Sequence, residues 1–187
     1  MYKFDFRSSL FLLGNMKYLF LILSVCLLVS CNYNTKIEKQ KISEKDLSEP
    51  MLRANSHMVR NEENQIEAFI KRYNLPMTKT GTGLRYYVYK PGRGKKAGNE
   101  MIVKINYSVK LISGQQIYTS ENEGPLVFQL GKGGTINGLE EAIMMFRVGD
   151  QAKIIVPSHL AFGLLGDQKK IPQRATLVYD ISILELN

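Results

Sequence analysis

"GPLVFQLGKGGTINGLEEAIMMFRVGD", residues 124–150, holds two glycine-punctuated turns, one short apolar helix and no residue suited to act as a nucleophile. Asn137 can cap the helix, Glu140 follows three residues later as in a capping box, and Leu139, Ile143 and Phe146 share one helical face. Gly149 can close its C-terminus. From residue 76 onward this is the one segment that departs from strand periodicity.

Around it the period is two. "MIVKINYSVKL" (101–111) places Val103, Ile105, Tyr107, Val109 and Leu111 on one face, with Lys104, Asn106, Ser108 and Lys110 on the other, the pattern of a half-buried antiparallel strand. The same alternation recurs in "LRYYVY" (84–89), "AKIIVP" (152–157) and "LVYDISILEL" (177–186), separated by glycine and proline clusters. This order predicts the α+β class over residues 76–187: a curved antiparallel β-sheet wrapped around one short helix. A helix lying across such a sheet leaves an apolar hollow, which reads either as plain core or as a pocket.

The N-terminal part has a different composition. "MKYLFLILSVCLLVSC" (16–31) sets Lys17 before an apolar run of about a dozen residues, shorter than the roughly 20 needed to cross a bilayer, and so reads as a secretory signal over residues 1–30. Met16 directly before Lys17 offers an alternative start. Leu28-Val29-Ser30-Cys31 resembles the bacterial lipobox, which implies a lipid-modified Cys31 and a membrane anchor facing the periplasm. Residues 31–49 are polar and of mixed charge, the composition of a flexible tether. From Pro50 a helix is predicted over 50–75: Leu52, Val59, Ile66 and Tyr73 recur every seven residues, with Phe69 and Ile70 on the same face. Glu62 and Glu63 precede Lys71 and Arg72, as the helix dipole favours. Asn55, Ser56, Glu62 and Glu63 are poor seam residues, so the helix is expected to pack on its own domain, with a dimerising stalk as the alternative.

Composition then excludes several kinds of chemistry. The formal charge of +8 falls to +6 without residues 1–30, and the basic clusters "GRGKKAG" (92–98) and "KKIPQR" (169–174) lack interleaved aromatics, so no nucleic-acid partner is expected. The domain has no cysteine and one histidine, His159, and Glu140 and Glu141 diverge by about 100 degrees on a helix, so neither a metal nor another cofactor is expected. Ser158 and His159 are sequence neighbours without a nucleophile elbow, and "GKGGT" (131–135) lacks the phosphate-loop ending. Rotation about an amide bond needs no acid, base or nucleophile. Its barrier of about 18–20 kcal/mol comes from resonance that also makes the planar amide the more dipolar form. An apolar pocket with one or two donors would favour the twisted transition state. Proline bonds suit such a site because both isomers are populated and exchange slowly.

At "GLRYYVYKPGRG", "VKINYSVKLISGQQIY", "GPLVFQLGKGGTINGLEEAI", "VGDQAKIIVPSHLAFG" and "IPQRATLVYDISILEL" the chain resembles the FKBP-type peptidyl-prolyl cis-trans isomerases. With the lipobox and lead-in helix it also resembles the gliding-motility-associated isomerase lipoproteins. The resemblance implies a site built from Tyr107, Phe128, Tyr179 and the backbone N–H of Ile136, a substrate-contacting set of Leu126, Thr135, Leu139, Phe146 and Ile171, and proline-containing polypeptides or macrolide-type inhibitors as ligands. Departures fall at Ile117-Tyr118-Thr119, where the family has F-D-S, at Leu139 for the usual tryptophan, at Phe162 for a tyrosine, and at Thr135 and Leu126. They imply a looser pocket with one donor fewer, for which the Tyr118 hydroxyl is a candidate replacement. Ile117, Tyr118 and Phe162 therefore join the candidate catalytic positions. A binding module or chaperone that scaffolds a membrane complex through the same cleft is the alternative function.

Overall fold

The alternating segments pair as their period requires. The structure, a computed structural model, describes residues 44–187, with side chains from Glu49; the expected signal peptide, Cys31 and most of the tether lie outside the described residues. The chain runs through α1 (Glu44–Tyr73), β1 (Thr78–Lys79), β2 (Arg85–Lys90), β3 (Ile102–Leu111), β4 (Gln116–Thr119), α2 (Ser120–Glu123), β5 (Leu126–Gln129), α3 (Asn137–Ile143), β6 (Gln151–Val156), a 3-10 turn (Ser158–Leu160) and β7 (Leu177–Leu186). All strand pairs are antiparallel, in the order β1-β2-β6-β7-β3-β4, and β5 pairs with the N-terminal part of β3 along the edge whose C-terminal part takes β4.

This edge arrangement shapes the hollow. The chain leaves β3 through β4, turns in α2 and returns as β5, and Ser120 fills the gap by accepting the backbone N–H of Tyr107 at 3.2 Å. Register slips by one residue at Ile117, between the pairs Val109–Tyr118 and Lys110–Gln116. Such a bulge puts two residues opposite one, and both Ile117 and Tyr118 join the core side of the sheet. On that side Val103, Ile105, Ile154, Leu177 and Ile181 pack against Leu139, Ala142 and Ile143 of α3, all 2% exposed or less. A Cβ at Gly138 would overlap Val156 of β6, so glycine lets α3 lie this close.

Several boundaries differ from the sequence-based expectation. α1 starts at Glu44, within the stretch read as tether, and Pro50 sits inside the helix rather than at its start. Proline there costs only the hydrogen bond to residue 46 near the helix end. Of the seven-residue series only Ile66 is buried; Leu52, Val59 and Tyr73 are exposed, because only the second half of α1 lies on the sheet, with Ile66, Phe69 and Ile70 against Ile155 and Val178 of its outer face. In α3 the cap position is Ile136 and no side chain caps it; Glu140 instead accepts the N–H of Gly131 at 2.9 Å. The helix ends at Ile143, and Gly149 uses its φ of 90° in the turn into β6.

α1 is also held by charge. Arg85, 1% exposed on the outer face of β2, donates to Glu63 and Glu67 of the helix and to the Gly83 carbonyl. Lys79 joins Glu63 at 2.7 Å. The Arg85 guanidinium first, and Lys79 second, hold the Glu63 carboxyl below its ordinary value.

Candidate active site

Where the sequence predicts a hollow, between the inner face of the sheet and α3, the predicted residues gather from six separate segments. β3 supplies Tyr107, β4 Ile117 and Tyr118, β5 Leu126 and Phe128, the residue before α3 is Ile136, the loop over residues 157–176 gives Ile171, and β7 gives Tyr179; all belong to one apolar cluster or pack against it. Thr135 is half-buried beside Ile136, and Phe162 stands on the loop at 36% exposed, outside the cluster. Two members of the expected substrate-contacting set are sealed. Leu139 is 0% and Phe146 1% exposed, so neither has surface to offer a substrate; they underlie the hollow as packed core.

Donors are few, and their pairing differs. Among the described residues no acceptor meets the N–H of Ile136, whose φ of −66° and ψ of 145° place it just ahead of the first turn of α3. The hydroxyls of Tyr107 and Tyr179 likewise have no partner among the described residues. Burial pushes the ionisation of Tyr179 well up, and burial together with the Glu123 charge raises that of Tyr107. Both therefore stay protonated donors well into the alkaline range.

Tyr118 is engaged elsewhere. Its hydroxyl donates to Oδ2 of Asp167, whose Oδ1 accepts the backbone N–H groups of Lys169, Lys170 and Ile171 at 2.9, 2.9 and 2.7 Å. The carboxylate hydrogen bond, with a smaller contribution from burial, raises the Tyr118 pKa to about 12. Burial pushes Asp167 up, but the Tyr118 hydroxyl and the three N–H groups outweigh it and leave its carboxyl below the ordinary value. Lys170 lies 4.8 Å from the Tyr118 ring centre. The hydroxyl suggested as a replacement donor is thus committed to holding the loop, and Asp167, absent from the sequence-based set, organises that loop. Its signal was an aspartate opening "DQKK" (167–170) after a glycine, an arrangement suited to side-chain-to-backbone turns.

Ser158 and His159 do not form a catalytic pair. Ser158 is directed to Glu62 of α1, and the His159 ring pairs with the Thr82 carbonyl at 3.0 Å. A depression of about 590 Å³ lies among Asn106, Tyr107, Ser108, Lys110, Lys153 and Asp180. Asp180 there already binds Lys153 at 2.7 Å and accepts from Tyr89, so it is paired polar surface rather than an apolar enclosure.

Residues 93–184, which carry most of this apolar cluster and the Ile136 N–H, match one family profile: FKBP-type peptidyl-prolyl cis-trans isomerase. These residues carry an FKBP-type domain. Over 123 residues it is 33% identical to the probable FKBP-type peptidyl-prolyl cis-trans isomerase FkpA of Neisseria meningitidis serogroup B, a match covering 64% of this chain and 44% of that protein. The crystal structure of AtFKBP13 superposes with a TM-score of 0.57 at 27% identity, covering 59% of this chain and 98% of that one. The fold is shared as well with FkpA from Escherichia coli, at a TM-score of 0.58 and 22% identity, over 100% of this chain and 99% of that one. Among the described residues no helix is long and apolar enough to cross a membrane.

Proposed function

We propose that the protein catalyses cis-trans isomerisation of X-Pro bonds in polypeptides. The observation that carries this reading is a set of neutral donors without partners among the described residues, the Ile136 N–H and the Tyr107 and Tyr179 hydroxyls, on an otherwise apolar cluster. A prolyl ring inserted against Phe128 and Ile171 leaves water, and the more dipolar planar amide loses more solvation than the twisted one. The Ile136 N–H fixes a neighbouring carbonyl of the substrate, and the tyrosine hydroxyls engage the rotating amide. Position and environment do the work, with no proton transfer. Ile117, Leu126, Leu139 and Phe162 line or support this hollow with less aromatic surface than the family pattern, which predicts modest turnover and weak binding of macrolide-type ligands.

The finer assignment rests on sequence. An apolar run before Leu28-Val29-Ser30-Cys31 supports export and lipid anchoring at Cys31, with the domain facing the periplasm and acting on exported chains; a role linked to gliding motility follows from the lipoprotein resemblance alone. A second reading, a cleft that holds one partner without turnover, is favoured by the commitment of Tyr118 to Asp167. Rates on a panel of X-Pro peptides, with Phe128→Ala beside the wild type, test the choice. Acceleration across many peptides, lost in the variant, is expected; tight binding of one partner with no acceleration would favour the second reading.

A further inference from the structure

Glu62 of α1 makes three hydrogen bonds, and they join the two ends of one loop. Its carboxylate accepts the backbone N–H of Ser158 at 2.6 Å and the Ser158 hydroxyl at 3.0 Å, and also the Thr176 hydroxyl at 2.6 Å. Ser158 opens the loop that follows β6, and Thr176 closes it immediately before β7. Both stems are buried, at 9% and 4% exposed. Between them lie the exposed Phe162, Ile171, which belongs to the apolar cluster, and Asp167, which links the loop to Tyr118.

We propose that Glu62 is a positioning residue for the isomerase site: a helix outside the matched family segment clasps both stems of the pocket loop and so sets the position of Phe162 and Ile171. The inference rests on the isomerase reading and deepens it. Hydrogen bonds to a carboxylate are the stronger kind and fix direction as well as distance. Other ties hold single points of the loop: Gly163 N–H to the Ser158 carbonyl at 2.9 Å and Arg174 N–H to the Gly163 carbonyl at 2.7 Å within it, and the His159 ring to the Thr82 carbonyl at 3.0 Å, Ile112 N–H to the Thr176 carbonyl at 3.2 Å and Tyr118 to Asp167 from outside. Each of these engages one stem or the tip, whereas Glu62 joins both stems. The neighbouring Glu63 and Glu67 bind Arg85 of β2 instead and touch neither stem.

The test compares Glu62→Ala, Glu62→Gln and Glu67→Gln in the full chain, reading KM and kcat on an X-Pro peptide, amide hydrogen exchange and thermal unfolding. Glu62→Ala is expected to raise KM about tenfold with a smaller change in kcat, and to speed exchange in peptides from the loop while those from β3 and β7 are unchanged. Glu62→Gln, which keeps an acceptor, should restore part of the loss. Glu67→Gln should lower stability and leave KM and loop exchange unmoved. Equal KM and loop exchange in Glu62→Ala and wild type would overturn the proposal, whatever the melting temperature. Should the wild type itself show no turnover, the isomerase reading fails, and fast loop exchange in Glu62→Ala alone would still sustain the clasp.

Discussion

Tyr179→Phe separates a functional hydroxyl from a structural one. Tyr179 sits on β7 between Val109 of β3 and Ile154 of β6, 6% exposed, with no partner for its hydroxyl among the described residues. The hydroxyl is not cut off from solvent, so its removal should change stability by less than about 0.5 kcal/mol, a shift of roughly 2–3 °C or less in Tm for a domain of this size. Activity should fall. One neutral hydrogen bond to the rotating amide, worth about 1–1.5 kcal/mol, corresponds to a loss of roughly five- to tenfold in kcat/KM. Because the ionisation of both Tyr179 and Tyr107 is raised, the wild-type rate should be flat from about pH 6 to about pH 9. Protease-free peptide isomerisation and calorimetry on the same preparations give both numbers. A variant that melts lower and turns over at the wild-type rate would refute the reasoning, since its hydroxyl would then be a structural one.

Tyr118→Phe should behave oppositely, losing about 0.5–1.5 kcal/mol because a half-exposed hydrogen bond to a carboxylate disappears, with kcat/KM within about threefold of wild type. The stabilisation it removes has a pH window: Asp167 is lowered, so its part is lost as pH falls below the ordinary 3.8, and Tyr118 is raised, so its part is present below pH 10 and lost as pH rises through about 12. The difference in Tm between wild type and variant should thus be largest between these limits. Replacing Glu63 and Glu67 together by glutamine leaves Arg85 buried without a carboxylate and should cost about 2–4 kcal/mol by urea unfolding. The Glu63 part, from a lowered carboxyl, should fade as pH drops below the ordinary 4.5. A loss under about 0.5 kcal/mol would show that Arg85 is not dependent on them.

Period-2 patterning located the sheet because an inner-face residue has no alternative to burial: "LVYDISILEL" is β7 to the residue, and β3 differs by one at its start. The family resemblance then identified Tyr107, Phe128, Ile136 and Tyr179, all of which meet in the hollow. What escaped detection depends on partners distant in sequence. The bulge at Ile117 exists only relative to β3, and Arg85 and Glu62 read as solvated polar positions until α1 is laid on the outer face of the sheet. Leu139 and Phe146 were legible as apolar, yet helical periodicity cannot distinguish a residue under a pocket from one lining it. The capping box failed for a related reason, since Glu140 had a competing donor in the Gly131 turn.

An apolar pocket with an unpaired backbone donor should turn over X-Pro bonds. Ile136 has a φ of −66°, a value proline also adopts, so Ile136→Pro deletes the N–H without forcing the backbone. On the X-Pro panel, the wild type should accelerate isomerisation, Ile136→Ala should lose little, and Ile136→Pro should lose on the order of 10²-fold. A folded wild type that accelerates no peptide, or a proline variant equal to the alanine one, would contradict this expectation.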